Sequence, residues 1–197
     1  MFHDLDATLA ALVRAELPIK GVDVSFLGPD QEFPPSGVRL PAISFFLYDI
    51  REDVQRRSNL WETERPDDRT VVKRRPAVRV ACSYLITAWP SDKVTDPARD
   101  EHQLLGALLR VLLRHRKIPD AYLAGELRGQ EPPMPSRILA TNQLQSLGEF
   151  WQAMGGKPKA ALHYGITVAM DVGEPLPPVP VVQEGGHQIS LDPIGSP

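Results

Sequence analysis

Cys82 and five histidines are the residues of this chain whose types could support nucleophilic or metal chemistry. A catalytic thiol needs a partly exposed, polar site with a base in reach. Cys82 instead falls on one side of the alternating run Val78, Val80, Cys82, Tyr84, Ile86, so it is expected to be a packed core thiol. His3, His102, His115, His163 and His187 never approach the short spacings of a zinc site. His163 sits among Ala161, Gly165, Thr167 and Ala169, where only folding can bring it to Cys82 or Asp49. Gly155-Gly156 follows a helical pattern, whereas a phosphate-binding loop follows a strand. The expectation is no catalytic, cofactor or metal residue, and a protein that is not an enzyme.

The charged residues between Arg51 and Arg79 offer interface chemistry instead. Arg56, Arg57, Arg65, Arg69, Lys73, Arg74 and Arg75 alternate with Glu62, Glu64, Asp67 and Asp68, and Trp61 lies among them. Two extended polar arms, Trp61–Arg65 and Arg69–Arg75, flank the turn sequence Pro66-Asp67-Asp68. A projecting polar hairpin costs chain entropy and adds nothing to a core, which points to something covering it. Interleaved acids dilute any attraction to phosphates, so nucleic acid is not the expected partner. Val181 and Val182 extend the candidate interface into the C-terminal region.

The elements that position these groups are legible from period and punctuation. Leu5, Leu9, Leu12 and Val13 make a helical stripe from Asp4 to Leu17. Val22 to Phe26 reads as a short strand. Ala42 to Ile50 is apolar on both faces, which suits a strand covered on both sides. Val78 onward is a core strand. Asp96 as N-cap and Pro97 at the first helical position start a helix running to about Arg116. His102, Gly106, Arg110 and Arg114 form its narrow polar stripe, so it is expected to be largely buried. Residues 119–143 are expected to be loops with a short strand near Ile138. Leu147, Phe150, Trp151 and Met154 share a helical face that Gly155-Gly156 ends. Leu162, Tyr164, Ile166, Val168 and Met170 then line one face of a strand. The expected fold class is α/β (α+β), a mixed, mainly antiparallel sheet packed with helices, with a projecting β-hairpin.

At 197 residues the chain can bury one good core. Residues 1–172 are expected to form the domain and 173–197 an extended, proline-rich tail. A net charge of −3 excludes a generally basic surface, and one cysteine excludes an internal disulfide. The longest apolar run, Leu104 to Leu113, is interrupted by Gly106 and Arg110 and falls short of the roughly 20 residues of a membrane span. The first residues lack a secretory pattern, so synthesis and assembly are expected in the cytoplasm.

Three blocks in order carry a family resemblance: Phe45 to Glu52, Arg57 through Trp61 to Trp89, and Gly148 through Gly156 with its following strand. Asp100 to Arg110 adds a fourth. The chain resembles the N-terminal domain of cap, or tube-terminating, proteins of extracellular contractile injection systems, relatives of phage tail terminators. The resemblance implies a tail-terminator-like fold. It also implies a homo-oligomeric ring, a hexamer, docked on inner tube and sheath proteins at the end of a contractile particle. Neither nucleic acid nor membrane is an expected partner. The alternatives are the terminator of a true phage tail, a small hydrolase using Cys82 and a histidine, and an adaptor presenting the proline-rich tail.

Overall fold

The leucine stripe near the N-terminus becomes α1 (Phe2–Glu16), on which Leu5, Leu9, Leu12 and Val13 are buried. Each leucine so buried contributes on the order of 2 kcal/mol by removal from water. In the computed structural model, the described residues are 1–28, 37–67, 70–130, 134–139, 147–153, 155, 158–174 and 176–180. Their contacts divide into two units, residues 1–57 with 77–171, and residues 58–76 with 172–197.

The first unit is built on a five-stranded sheet. In chain order its strands are β1 (Asp23–Ser25), β2 (Ala42–Glu52), β5 (Val78–Trp89), β6 (Ser136–Ile138) and β7 (Leu162–Met170). Their order across the sheet is β1-β2-β5-β7-β6. β1 runs parallel to β2 and every other pair is antiparallel, so the sheet is mixed and mainly antiparallel. The helices are α1, α2 (Pro97–Arg114) and α3 (Leu147–Ala153). The fold is α+β.

One face of the sheet carries the main core. Val80, Cys82, Tyr84 and Ile86 from β5, with Tyr164, Ile166 and Val168 from β7, pack with the stripes of α1 and α2. Tyr84 donates a hydrogen bond to Asp6 Oδ1 at 2.9 Å, which satisfies its hydroxyl in that setting. α2 begins as its sequence dictates: Asp96 accepts a hydrogen bond from the Arg99 amide at 3.1 Å, and Pro97 opens the helix. The expectation of a largely buried α2 is corrected. Leu104, Leu105, Leu108, Val111 and Leu112 are buried, but Pro97, Ala98, Arg99, Gln103, Arg110 and Leu113 are exposed. α2 covers the sheet with one face only.

β2 is corrected in the same way. Ala42 to Phe45 are buried, whereas Ile50 is 48% exposed. Among the described residues, cover on the second face of the sheet lies at one end, where the rings of Phe46 and Phe150 are 6.1 Å apart. α3 supplies that cover with Phe150 and the buried Trp151. Gly155 follows with φ of 68°, the left-handed residue that closes a helix. Met154 and Gly156 lie outside the described residues.

The segment after α2 is more ordered than a run of loops. Two 3₁₀ turns, Asp120–Tyr122 and Gly125–Leu127, precede β6. They are tied to α1. The Thr8 hydroxyl accepts from the Ala124 amide at 3.0 Å, Asp4 accepts from the Glu126 amide at 3.4 Å, and Tyr122 donates to Glu16 at 2.7 Å.

The second unit holds a three-stranded sheet in the order β3-β4-β8, with β3 (Glu62–Glu64), β4 (Thr70–Arg74) and β8 (Val179–Pro180). The two polar arms pair antiparallel as the hairpin sequence requires. Tail residues add the third strand: Thr70 pairs with Pro180, Val71 with Val179, and the Leu176 amide donates to the Lys73 carbonyl at 2.9 Å.

Candidate interface site

Cys82 is fully buried in the main core, and burial pushes its thiol up to about 12. Such a thiol stays protonated near neutrality and is no nucleophile. Among the described residues no group of three or more His, Cys, Asp or Glu is placed to hold a metal ion. No helix among them is long and apolar enough to cross a membrane.

The hairpin unit gathers part of the expected interface. Trp61 is 46% exposed, and the Arg75 guanidinium lies over its ring, 5.8 Å from the centroid. That contact places a cation against a half-exposed aromatic ring. Arg74 stands opposite Glu62 in the ladder and lies 4.0 Å from Glu64. Lys73 and Arg65 are exposed in the same unit. Leu60, Val172, Leu176 and Val179 expose between 46% and 80% of their surfaces there, an apolar content that a solvated hairpin does not need. Arg56 and Arg57 belong to the first unit, where they pair with Asp53 at 3.2 Å and Glu52 at 3.4 Å. Arg69, Val181 and Val182 lie outside the described residues.

The open part of the sheet's second face forms a cleft of about 320 Å³ that the sequence did not single out. Register places Asp49, Ser83, Gly165 and Arg137 in one row across β2, β5, β7 and β6. Arg51, Ala81 and Thr167 make the next row. A bulge between Leu47 and Asp49 inserts Tyr48, whose hydroxyl reaches His163 Nδ1 at 3.4 Å. His163 thus finds Tyr48, while Cys82 belongs to the core on the opposite face of the sheet. Burial lowers the His163 pKa, so the imidazole is neutral at pH 7. Thr167 donates to Asp53 at 3.0 Å, and the Arg51 guanidinium sits 2.7 Å from Asp49. The small-residue alternation from Ala161 to Ala169 was the signal for this cleft. It lacked only the register that aligns it with Ser83 and Asp49.

The family described as the Pvc16 N-terminal domain matches residues 4–184. The chain belongs to this family. Among solved structures, this Pvc16 N-terminal domain is similar to the PVC sheath/tube terminator of an extracellular contractile injection system in its extended state. The TM-score is 0.68 at 24% identity, over 100% of this chain and 65% of that one. It is also similar to the anti-feeding prophage cap, the AFP tube terminating cap, with a TM-score of 0.58 at 25% identity over 100% of this chain and 61% of that one. The chain therefore spans less than two-thirds of either structure's length. No curated protein sequence matches it.

Proposed function

We propose that this chain is a structural cap subunit that terminates the inner tube and sheath of a contractile, phage-tail-like injection particle. Membership of the Pvc16 N-terminal domain family, over most of the chain, is the observation that supports this reading most. The likeness to a sheath/tube terminator and to a tube terminating cap agrees with it. A tube grows because each ring presents a surface complementary to the next. A closed ring that matches on one side only ends that growth. The ring is a hexamer, its partners are tube and sheath proteins, and it assembles in the cytoplasm without catalysing a reaction. Residues 1–172 form the body and 173–197 an arm. Arg56, Arg57, Trp61, Arg65, Arg69, Lys73, Arg74, Arg75, Val181 and Val182 contribute contacts.

Mass in solution, combined with electron microscopy of sheathed particles from cells with and without the gene, tests the proposal. The expected result is a six-subunit mass and overlong, uncapped particles when the gene is absent. Replacing Leu60–Arg74 by a short glycine-containing turn is expected to leave the main domain folded and to weaken ring formation or docking. A monomeric protein whose loss leaves particle length unchanged would sink the cap reading. Unchanged assembly of the shortened chain would reduce the hairpin to a solvated loop.

A further inference from the structure

We propose that the cleft on the open sheet face is a docking site for an Asp or Glu side chain carried on an extended segment of a partner protein. Four observations carry it. The first is that the acids of the cleft are already paired: Asp49 with Arg51, Asp53 with Thr167 and Arg56, and Glu52 with Arg57. Arg137 has no acidic partner among the described residues, so it is the one arginine of the cleft lining whose charge no acid there answers.

The second is a hydrogen-bond chain with an open end. The Tyr48 hydroxyl lies 3.4 Å from His163 Nδ1, and in the tautomer where that hydroxyl donates, the neutral imidazole carries its proton on Nε2. That nitrogen is shielded from solvent and has no hydrogen-bond partner among the described residues. In that tautomer Nε2 is a donor that is costly to leave unmet, and a carboxylate is an acceptor that also answers Arg137.

The third is Gly165. Glycine in mid-strand weakens a sheet, and here neither backbone conformation nor crowding requires it. Its φ is not in the left-handed region, and a Cβ added there meets only the Cys82 carbonyl oxygen, at 4.0 Å. The missing side chain leaves the floor between Ser83 and Arg137 empty. The fourth is shape. Arg51 and Arg137 on the rim are exposed, and the floor is a run of small residues on a sheet. An extended backbone can lie along such a face and lower one side chain into it, whereas a free small acid needs a pocket enclosing most of its surface.

This inference is independent of ring formation, and its test reads a different quantity. The full chain, labelled with ¹⁵N at histidine, is titrated with the blocked peptide acetyl-Gly-Glu-Gly-amide and with its Gln twin, while the His163 Nε2 resonance is followed. The Glu peptide is expected to move that resonance saturably, and the twin to move it at least fivefold less at equal concentration. His102 and His115 act as internal controls. Arg137→Gln, at an exposed position, is expected to weaken binding about tenfold, and Gly165→Val to abolish it by filling the floor. The thermal melt of Gly165→Val establishes that the loss is local, and Arg137→Gln carries the test if that variant does not fold. No shift, or equal shifts from both peptides, would overturn the proposal. Glutarate binding as tightly as the Glu peptide would overturn the partner assignment and make the cleft a small-acid site.

Discussion

At the scale of single residues, burial decides what each titratable group can do. Cys82 lies in the core with its pKa pushed up to about 12 by burial, so at pH 8 the thiol is almost entirely protonated. Native protein is therefore expected to react with thiol reagents orders of magnitude more slowly than protein in denaturant. Cys82→Ala is expected to cost about 1 kcal/mol and leave assembly intact. Rapid native labelling would reopen the case for a nucleophile. His163 gives a pH test. Its folded pKa is lowered by burial, so as pH falls below the ordinary histidine value near 6.5 the unfolded chain takes the proton first. That linkage contributes a loss of stability on the acid side and none above pH 7. His163→Gln is expected to show a smaller drop in Tm than the parent between pH 7 and 5, and parallel curves would contradict this.

At the scale of elements, local signals and long-range fit separate cleanly. The α1 stripe, the Asp96–Pro97 start of α2 and the alternation in β5 and β7 depend on neighbours a few residues away, so they are legible in the sequence. The attachment of α1 to residues 124–126 is not, because its hydrogen bonds join groups more than 100 positions apart. The exposed half of β2 and the outer face of α2 were hidden for a related reason, since apolar pattern shows what can be buried and not how far the cover extends. Gly125 tests the attachment. Its φ is 52°, and a Cβ built there falls 2.1 Å from the Asp4 carboxylate. Gly125→Ala is expected to cost about 1–3 kcal/mol through strain and displacement of Asp4. In a double-mutant cycle with Asp4→Ala the two costs are expected to add to less than their sum, because one clash underlies both. Strict additivity, measured by urea melts, would show that the two residues do not press on each other.

At the scale of the whole molecule, the sequence placed the sheet, the helices and the hairpin in order, while strand order and the open cleft required pairings it does not encode locally. The tail is the sharpest case. Its prolines read as a segment unable to build a core, yet Val179 and Pro180 pair with β4. Truncation after Gly173 removes that strand and touches no member of the main core. The main domain is expected to melt within about 0.5 kcal/mol of the intact chain. Amide exchange at Thr70 to Lys73 is expected to quicken. Unfolding of the truncated chain would move the domain boundary.

β8 also settles how far its sheet can grow. Of the five residues from Leu176 to Pro180, three are prolines with no amide hydrogen, and the Leu176 amide is spent on Lys73. The segment's other amide belongs to Val179, which stands opposite Val71 in the ladder. A strand of this composition takes hydrogen bonds from β4 and has little to give to a newcomer. Along the described part of that border, a stray chain is offered few donors to zip onto. The proline tail thus works as a selvage, the woven edge that stops a fabric from fraying into its neighbour.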